Sequence, residues 1–171
     1  MFIVISKCNA YNVTLGIYIK ILIIIQISDC NAKIQIRNCD ASSQHNSNHK
    51  CETVFANDGD RGYWVTKDNT NQKWIKFYLD NTYLLKKLRI LQFPGGADRM
   101  KGMSVEFSDG FTFNHEIGFR ETWKEVNIPN VTYSNSVKII GNSNHHGGSY
   151  KAMGMSEIQI FGCNSGIFQL L

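Results

Sequence analysis

From Trp64 onward, apolar and polar residues alternate in short runs separated by Gly, Asn, Asp and Ser. Ile75, Phe77 and Leu79 alternate with Lys76 and Tyr78, and Leu88 and Ile90 alternate with Arg89 and Leu91. Met103, Val105 and Phe107 do the same with Ser104 and Glu106. A period of two turns one side of each run toward a core, so each run predicts a half-buried strand. Ser108-Asp109-Gly110 then leads into Phe111 and Phe113, and Asp-Gly is a pair that reaches the positive φ of a tight hairpin. Further strands are predicted over residues 123–128, 136–140 and 157–161. No helical period persists for more than a turn or two. About eight strands joined by Gly-rich connections predict an all-β fold, a β-sandwich or jelly roll.

The N-terminal residues follow a different pattern. Residues 17–27 include eight Ile or Leu, whereas residues 38–50 are mostly Asn, Ser, His and Asp. The apolar run carries Lys20 and stops at Gln26, short of the roughly 18–20 residues that a bilayer-spanning helix needs. Lys7 and Lys20 precede its most hydrophobic part, and the small residues Ser28, Cys30 and Ala32 follow. That order predicts a secretory signal peptide over residues 1–32, a domain over 33–163 and a C-terminal tail over 164–171. The expected location is therefore secreted or extracellular.

Composition narrows the class. The chain is 43% hydrophobic and 12% aromatic, enough for a core and unlike a disordered chain. Lys and Arg number 18 against 14 Asp and Glu. The densest basic cluster, Lys86, Lys87 and Arg89, opens an apolar run and reads as a solvated strand edge rather than a nucleic-acid stripe. Of the 5 cysteines, the predicted signal removes Cys8 and Cys30 and leaves Cys39, Cys51 and Cys163. Cys39 and Cys163 bracket the periodic sequence, so a bridge between them is expected, with Cys51 left over, or paired with Cys30 if cleavage falls earlier. Cys39, His45, His49 and Cys51 are zinc-type ligands, but their spacing fits no familiar finger.

Catalytic signatures are missing: the sequence holds no H-E-x-x-H, no G-x-S-x-G and no phosphate loop, and Gly95-Gly96 lacks the lysine such a loop needs. No enzyme is expected. His115-Glu116 reads as a solvated turn, and His145-His146 lie in a Gly/Asn/Ser-rich stretch that suits a surface loop or a ligand contact. Asp58-Gly59-Asp60 places two carboxylates in a tight turn, the partial cage a hard cation such as calcium takes, and Glu157 is a third carboxylate the fold could bring near. Asn130-Val131-Thr132 is an N-glycosylation sequon, meaningful in an exported chain. Asn12-Val13-Thr14 falls in the predicted signal.

Several of these residues, taken in order, resemble a family. Ala41-Ser42-Ser43, Asn57-Asp58-Gly59-Asp60, Tyr63-Trp64-Val65 and Lys73-Trp74-Ile75-Lys76-Phe77 resemble the discoidin or galactose-binding-like domain of the coagulation factor V/VIII C-type superfamily. Leu88-Arg89-Ile90, Asp98-Arg99, the run from Val105 to Gly110, and Met155-Ser156-Glu157-Ile158 look most like the branch of sialidase-associated carbohydrate-binding modules. The likeness covers about residues 39 to 163.

The resemblance implies an eight-stranded jelly-roll β-sandwich whose ends meet, consistent with a Cys39 to Cys163 bridge. It implies a structural calcium held by Asp58, Asp60 and Glu157, with carbonyls near Phe55 and Met155 as further ligands. Trp64 and Trp74 are then expected in the core. Ligands of this fold bind in loops at one end, where Phe119 with Arg120, and His145, His146 and Tyr150, combine aromatic faces with hydrogen-bonding groups. The expected partner is a glycan or glycoprotein. The rival is an adhesion module that meets a protein or phospholipid surface through exposed Phe93 or Met100.

Overall fold

The structure is a computed structural model and describes residues 31–55, 62–67, 73–146 and 152–164. Among these residues, eight strands follow in order. They are β1 (Ala32–Ile34), β2 (Ile36–Ala41), β3 (Trp64–Val65), β4 (Trp74–Gln92), β5 (Met100–Phe107), β6 (Thr112–Glu116), β7 (Trp123–Asn144) and β8 (Gly154–Asn164). Short 3₁₀ turns lie at Cys51–Val54 and Gly96–Asp98.

Pairing between these strands is antiparallel, and two long strands give the molecule its shape. The first part of β4 pairs with β2 on one side and with residues 136–140 of β7 on the other. Its second part pairs with β8 and with residues 123–127 of β7. Between the two parts the register shifts, from Tyr78 to Tyr83 and again from Leu85 to Lys87. The sheet therefore folds over on itself. One layer is β2, the start of β4, the end of β7, β5 and β6; the other is the start of β7, the end of β4, β8 and β1, with β3 attached to β8. The result is the expected β-sandwich.

Burial follows the predicted alternation on both layers. Ile75, Phe77 and Leu79 point inward from the first part of β4, and Leu88 and Ile90 from the second. The inward phase moves from odd to even positions because the shift at Leu85/Lys87 inserts one residue in β4 relative to β8. The predicted strands at 123–128 and 136–140 are two parts of β7, with Pro129 at its bend, between the ladder positions Asn127 and Thr132. Such a site suits a residue that cannot donate to a ladder. The 108–110 turn closes as expected, with Gly110 at φ +87° and Phe107 N donating to Phe111 O at 3.0 Å.

Four expectations change. The disulfide joins Cys39 to Cys51, with Cα atoms 6.0 Å apart, and not Cys39 to Cys163. Cys39 lies opposite Phe77 and Cys163 opposite Leu84, on either side of the bend in β4, and the Cys39 sulfur is already bonded to Cys51. The same bridge removes the zinc reading, because both sulfurs are consumed. Trp64 is buried at 1% exposure, but Trp74 lies half-buried on the outer face of β4 with the Lys138 ammonium 5.4 Å from its ring centroid. The Lys86, Lys87 and Arg89 cluster lies on an inner strand rather than an edge: β4 is flanked by β8 and β7. There Lys87 covers Phe161 and Arg89 covers Trp123, at 5.2 and 4.9 Å from the ring centroids. His115-Glu116 belongs to β6 and is not a turn.

Candidate functional site

Both ends of β7 come back to the same end of the sandwich. Trp123 pairs with Leu91 and Asn144 pairs with Met100, so the segment 93–99 between β4 and β5 lies beside both. The 117–122 segment that precedes β7 and His145-His146 that follow it join this cluster of loops.

Arg99 organises the cluster. The side chain is buried, with 9% of the residue exposed, a costly place for a charge unless every donor is used. Its Nε donates to Phe93 O at 2.7 Å, Nη1 to Phe119 O at 2.9 Å, and Nη2 to Pro94 O at 3.0 Å. The same Nη2 faces the Glu121 carboxylate at 3.4 Å. One guanidinium thus ties the 93–99 segment to the 117–122 segment, and its plane lies 4.8 Å from the Phe119 ring centroid. Gln92, fully buried below, adds a donor to Met100 O at 2.7 Å.

On this base Phe119 is 51% exposed. His145 meets it edge-on, with ring centroids 5.3 Å apart and planes at 81°. The imidazole is fixed in turn: its Nε2 lies 2.8 Å from Ile117 O, and a carbonyl only accepts, so Nε2 is the protonated nitrogen. Its backbone N–H donates to Arg99 O at 3.0 Å. The structure therefore brings together Phe119 and His145 from two different loops. Arg120 is exposed beside Phe119, and His146 is exposed beside His145. Tyr150 lies outside the described residues.

A second aromatic group flanks the first. Phe93 packs edge-on to Tyr63 at 4.7 Å between centroids, and Tyr63 stacks on His49 at 4.6 Å. Gly95 and Gly96 run between the two groups. A Cβ on Gly95 would sit 2.4 Å from the Phe93 ring, and one on Gly96 would meet Phe119 at 3.5 Å, so a side chain at Gly95 would displace Phe93. Burial, and then the neighbouring His45, hold the His49 pKa below its usual value, with Asp98 opposing. In the sequence Arg99 and Tyr63 stand out only within the family likeness, and His49 only as a zinc-type ligand. Of Phe93 and Met100, the residues through which the rival reading would meet a protein or phospholipid surface, Met100 is buried at 1% exposure and Phe93 is half-buried against Tyr63.

Of the expected calcium ligands, Asp58 and Asp60 lie outside the described residues. Glu157 lies half-buried on β8 opposite Leu91, and one of its carboxylate oxygens accepts from Gln159 Nε2 at 3.0 Å. Among the described residues, the one group of metal-type ligands is Cys39, Cys51 and Glu52, and its sulfurs are spent on the disulfide.

Residues 38–155 match the F5/8 type C domain. The chain belongs to this family. No relative was found among curated proteins. Solved structures with the same fold include family 32 carbohydrate-binding modules. The module of Clostridium perfringens NanJ, in complex with galactose, is 14% identical with a TM-score of 0.59, covering 72% of this chain and 92% of that one. CpGH89CBM32-5 from Clostridium perfringens, in complex with GalNAc-β-1,3-galactose, is 18% identical with a TM-score of 0.60, covering 73% and 94%. A truncated AlyQ with CBM32 and alginate lyase domains is 17% identical with a TM-score of 0.63. The alignment covers 80% of this F5/8 type C chain but 34% of that longer protein.

Proposed function

We propose that this F5/8 type C domain is a secreted, non-enzymatic recognition module that binds carbohydrate, through the loop end that carries Phe119, with a structural calcium. The observation that carries the reading is Phe119 itself, an exposed ring held from behind by buried Arg99 and from the side by His145. A fixed aromatic face suits the apolar face of a sugar, while the neighbouring Arg120, Glu121 and His146 offer donors and acceptors for its hydroxyls. Tyr150, four residues beyond His146 in the sequence, is proposed as a further ligand contact. The sugar complexes of the structural neighbours support this class of ligand.

The disulfide between Cys39 and Cys51 supports export to an oxidising compartment. For calcium, β3 pairs with β8 through Trp64 opposite Met155, two residues before Glu157. The chain entering β3, with Asp58 and Asp60 upstream, thus approaches the Glu157 part of β8, which supports these three carboxylates as one hard-oxygen ligand set. Calcium would pin the loops and supply no chemistry to the ligand.

A glycan array on the secreted protein, with and without calcium, tests the reading. Binding is expected to be competed by a monosaccharide, and Phe119→Ala is expected to weaken it by about tenfold or more, roughly 1.4 kcal/mol. Retention of no glycan, or equal retention by Phe119→Ala, would overturn it. Binding only to vesicles of anionic lipid would replace it with a membrane-surface role.

A further inference from the structure

The structure also places an unused chemical group at the opposite end of the sandwich. The sequon Asn130-Val131-Thr132 occupies the bend of β7, between Asn127, paired with Lys87, and Thr132, paired with Leu85. Both ends of β7 lie at the recognition loops, so its bend is the point of that strand farthest from them. The 108–110 hairpin turn lies at this end too: Ser108 N donates to Ser134 Oγ at 2.9 Å.

Two features point to this sequon as an acceptor site: the exposure of Asn130 and the exposed side chains around it. Asn130 is exposed, with exposed Pro129 and Val131 on either side, so its amide is open to a bulky substituent. Thr132 is fully buried and its hydroxyl donates to the backbone Asn130 O at 3.3 Å, so in the folded chain the threonine is turned inward while Asn130 stays exposed. Val131 at 56% and Tyr133 at 40% are two of the three large hydrophobics exposed among the described residues, and both lie within three positions of Asn130. The third is Phe119, already assigned to the ligand. A sugar chain linked to Asn130 would stand beside both side chains and screen them from solvent.

We infer that Asn130 carries an N-linked oligosaccharide at the end of the sandwich opposite the recognition loops. The inference rests on the export part of the reading above and not on sugar binding. Its donor class is a polyprenyl-diphosphate oligosaccharide. The bond from Asn130 Nδ2 to sugar C1 forms, the C1–O bond to the diphosphate breaks, the amide gives up one proton, and the lipid diphosphate leaves as the anion. The substituent screens Val131 and Tyr133 and leaves Phe119 free.

The test is expression of the full chain in a secreting eukaryotic cell, with intact-mass and peptide mapping before and after peptide N-glycosidase. The expected result is one glycan on the 130 peptide, lost in Asn130→Gln and kept in Thr132→Ser, with unchanged binding on the glycan array in both variants. Enzymatic removal of the glycan is expected to raise the fluorescence of an apolar-surface dye, and the pair Val131→Ser and Tyr133→Ser is expected to cancel that rise. A secreted chain with unmodified Asn130, or a chain retained in the cell, overturns the inference. An unchanged dye signal overturns the shielding role. Failure of the array alone overturns the carbohydrate reading and leaves this one standing.

Discussion

Arg99 is the residue on which the candidate site depends most. It spends its donors on three backbone carbonyls and one carboxylate, and its guanidinium backs the exposed Phe119 ring. Lysine carries a single ammonium and cannot reproduce that fork. Arg99→Lys is therefore expected to lower stability by about 2–4 kcal/mol in urea unfolding, because it leaves buried carbonyls without donors. A loss under about 0.5 kcal/mol would show that the loops are held by other means. The residue was legible as part of a family likeness, through Asp98-Arg99, but its role was not. Spacing in a sequence does not reveal that a charged side chain turns inward to close two loops. Phe119 and His145 were legible, because an aromatic beside arginine and a pair of histidines in a glycine-rich stretch stand out from their surroundings. His49 adds a pH effect with a definite sign. Its folded pKa is depressed, so below the usual value near 6.5 the unfolded chain binds the extra proton first. Stability is expected to fall as pH drops through that value toward the folded pKa. In His49→Asn this part of the slope should vanish in pH-dependent melting, and an unchanged slope would assign it to another group.

Among the elements, the short bridge between Cys39 and Cys51 ties β2 to the 3₁₀ turn at Cys51–Val54. It closes 12 residues of sequence, worth about 3 kcal/mol of unfolded-state entropy. The double variant Cys39→Ala with Cys51→Ala should lose about 2–3 kcal/mol, and reducing agent should lower the wild type to the same level. Conversely, the replacement Cys163→Ala should leave the mobility on a non-reducing gel unchanged. A disulfide-linked pair of the Cys39 and Cys163 peptides in non-reducing peptide mapping would restore the pairing first expected. That expectation failed for a physical reason. Cysteines that bracket the strands in sequence need not meet when the central strands bend in half, because the bend carries Cys39 and Cys163 to different parts of β4. The strands themselves were readable from the period of two, since burial of one face dictates it. What the period could not show was continuity. The runs at 123–128 and 136–140 looked like separate strands because Pro129 and the polar positions after it interrupt the alternation, and the register shift that joins them is a property of pairing.

For the whole molecule, the decisive property is that one folded sheet supplies both layers and gathers its connections at one end. Residues 93–99 and 117–122 carry little secondary structure, so their order depends on Arg99, on Gln92 and on whatever fastens the chain entering β3. A cation held by Asp58, Asp60 and Glu157 would fasten that chain to β8 beside Trp64 and Met155. A ligand that binds the folded state and not the unfolded one raises stability by mass action, about 2.7 kcal/mol when present at 100 times its Kd. Saturating calcium is therefore expected to raise the melting midpoint by several degrees and chelator to reverse the rise. Magnesium should substitute poorly, because it demands tighter octahedral geometry. Asp58→Asn and Glu157→Gln should each melt at the chelated wild-type midpoint, with or without calcium. Asp109→Asn, in the hairpin turn at the other end, should keep the full calcium response. An equal midpoint for wild type in calcium and in chelator would remove calcium from this protein, and the glycan reading would then rest on Phe119 and its supports alone. A calcium-dependent midpoint together with glycan binding that persists in chelator would confine the ion to holding the loops.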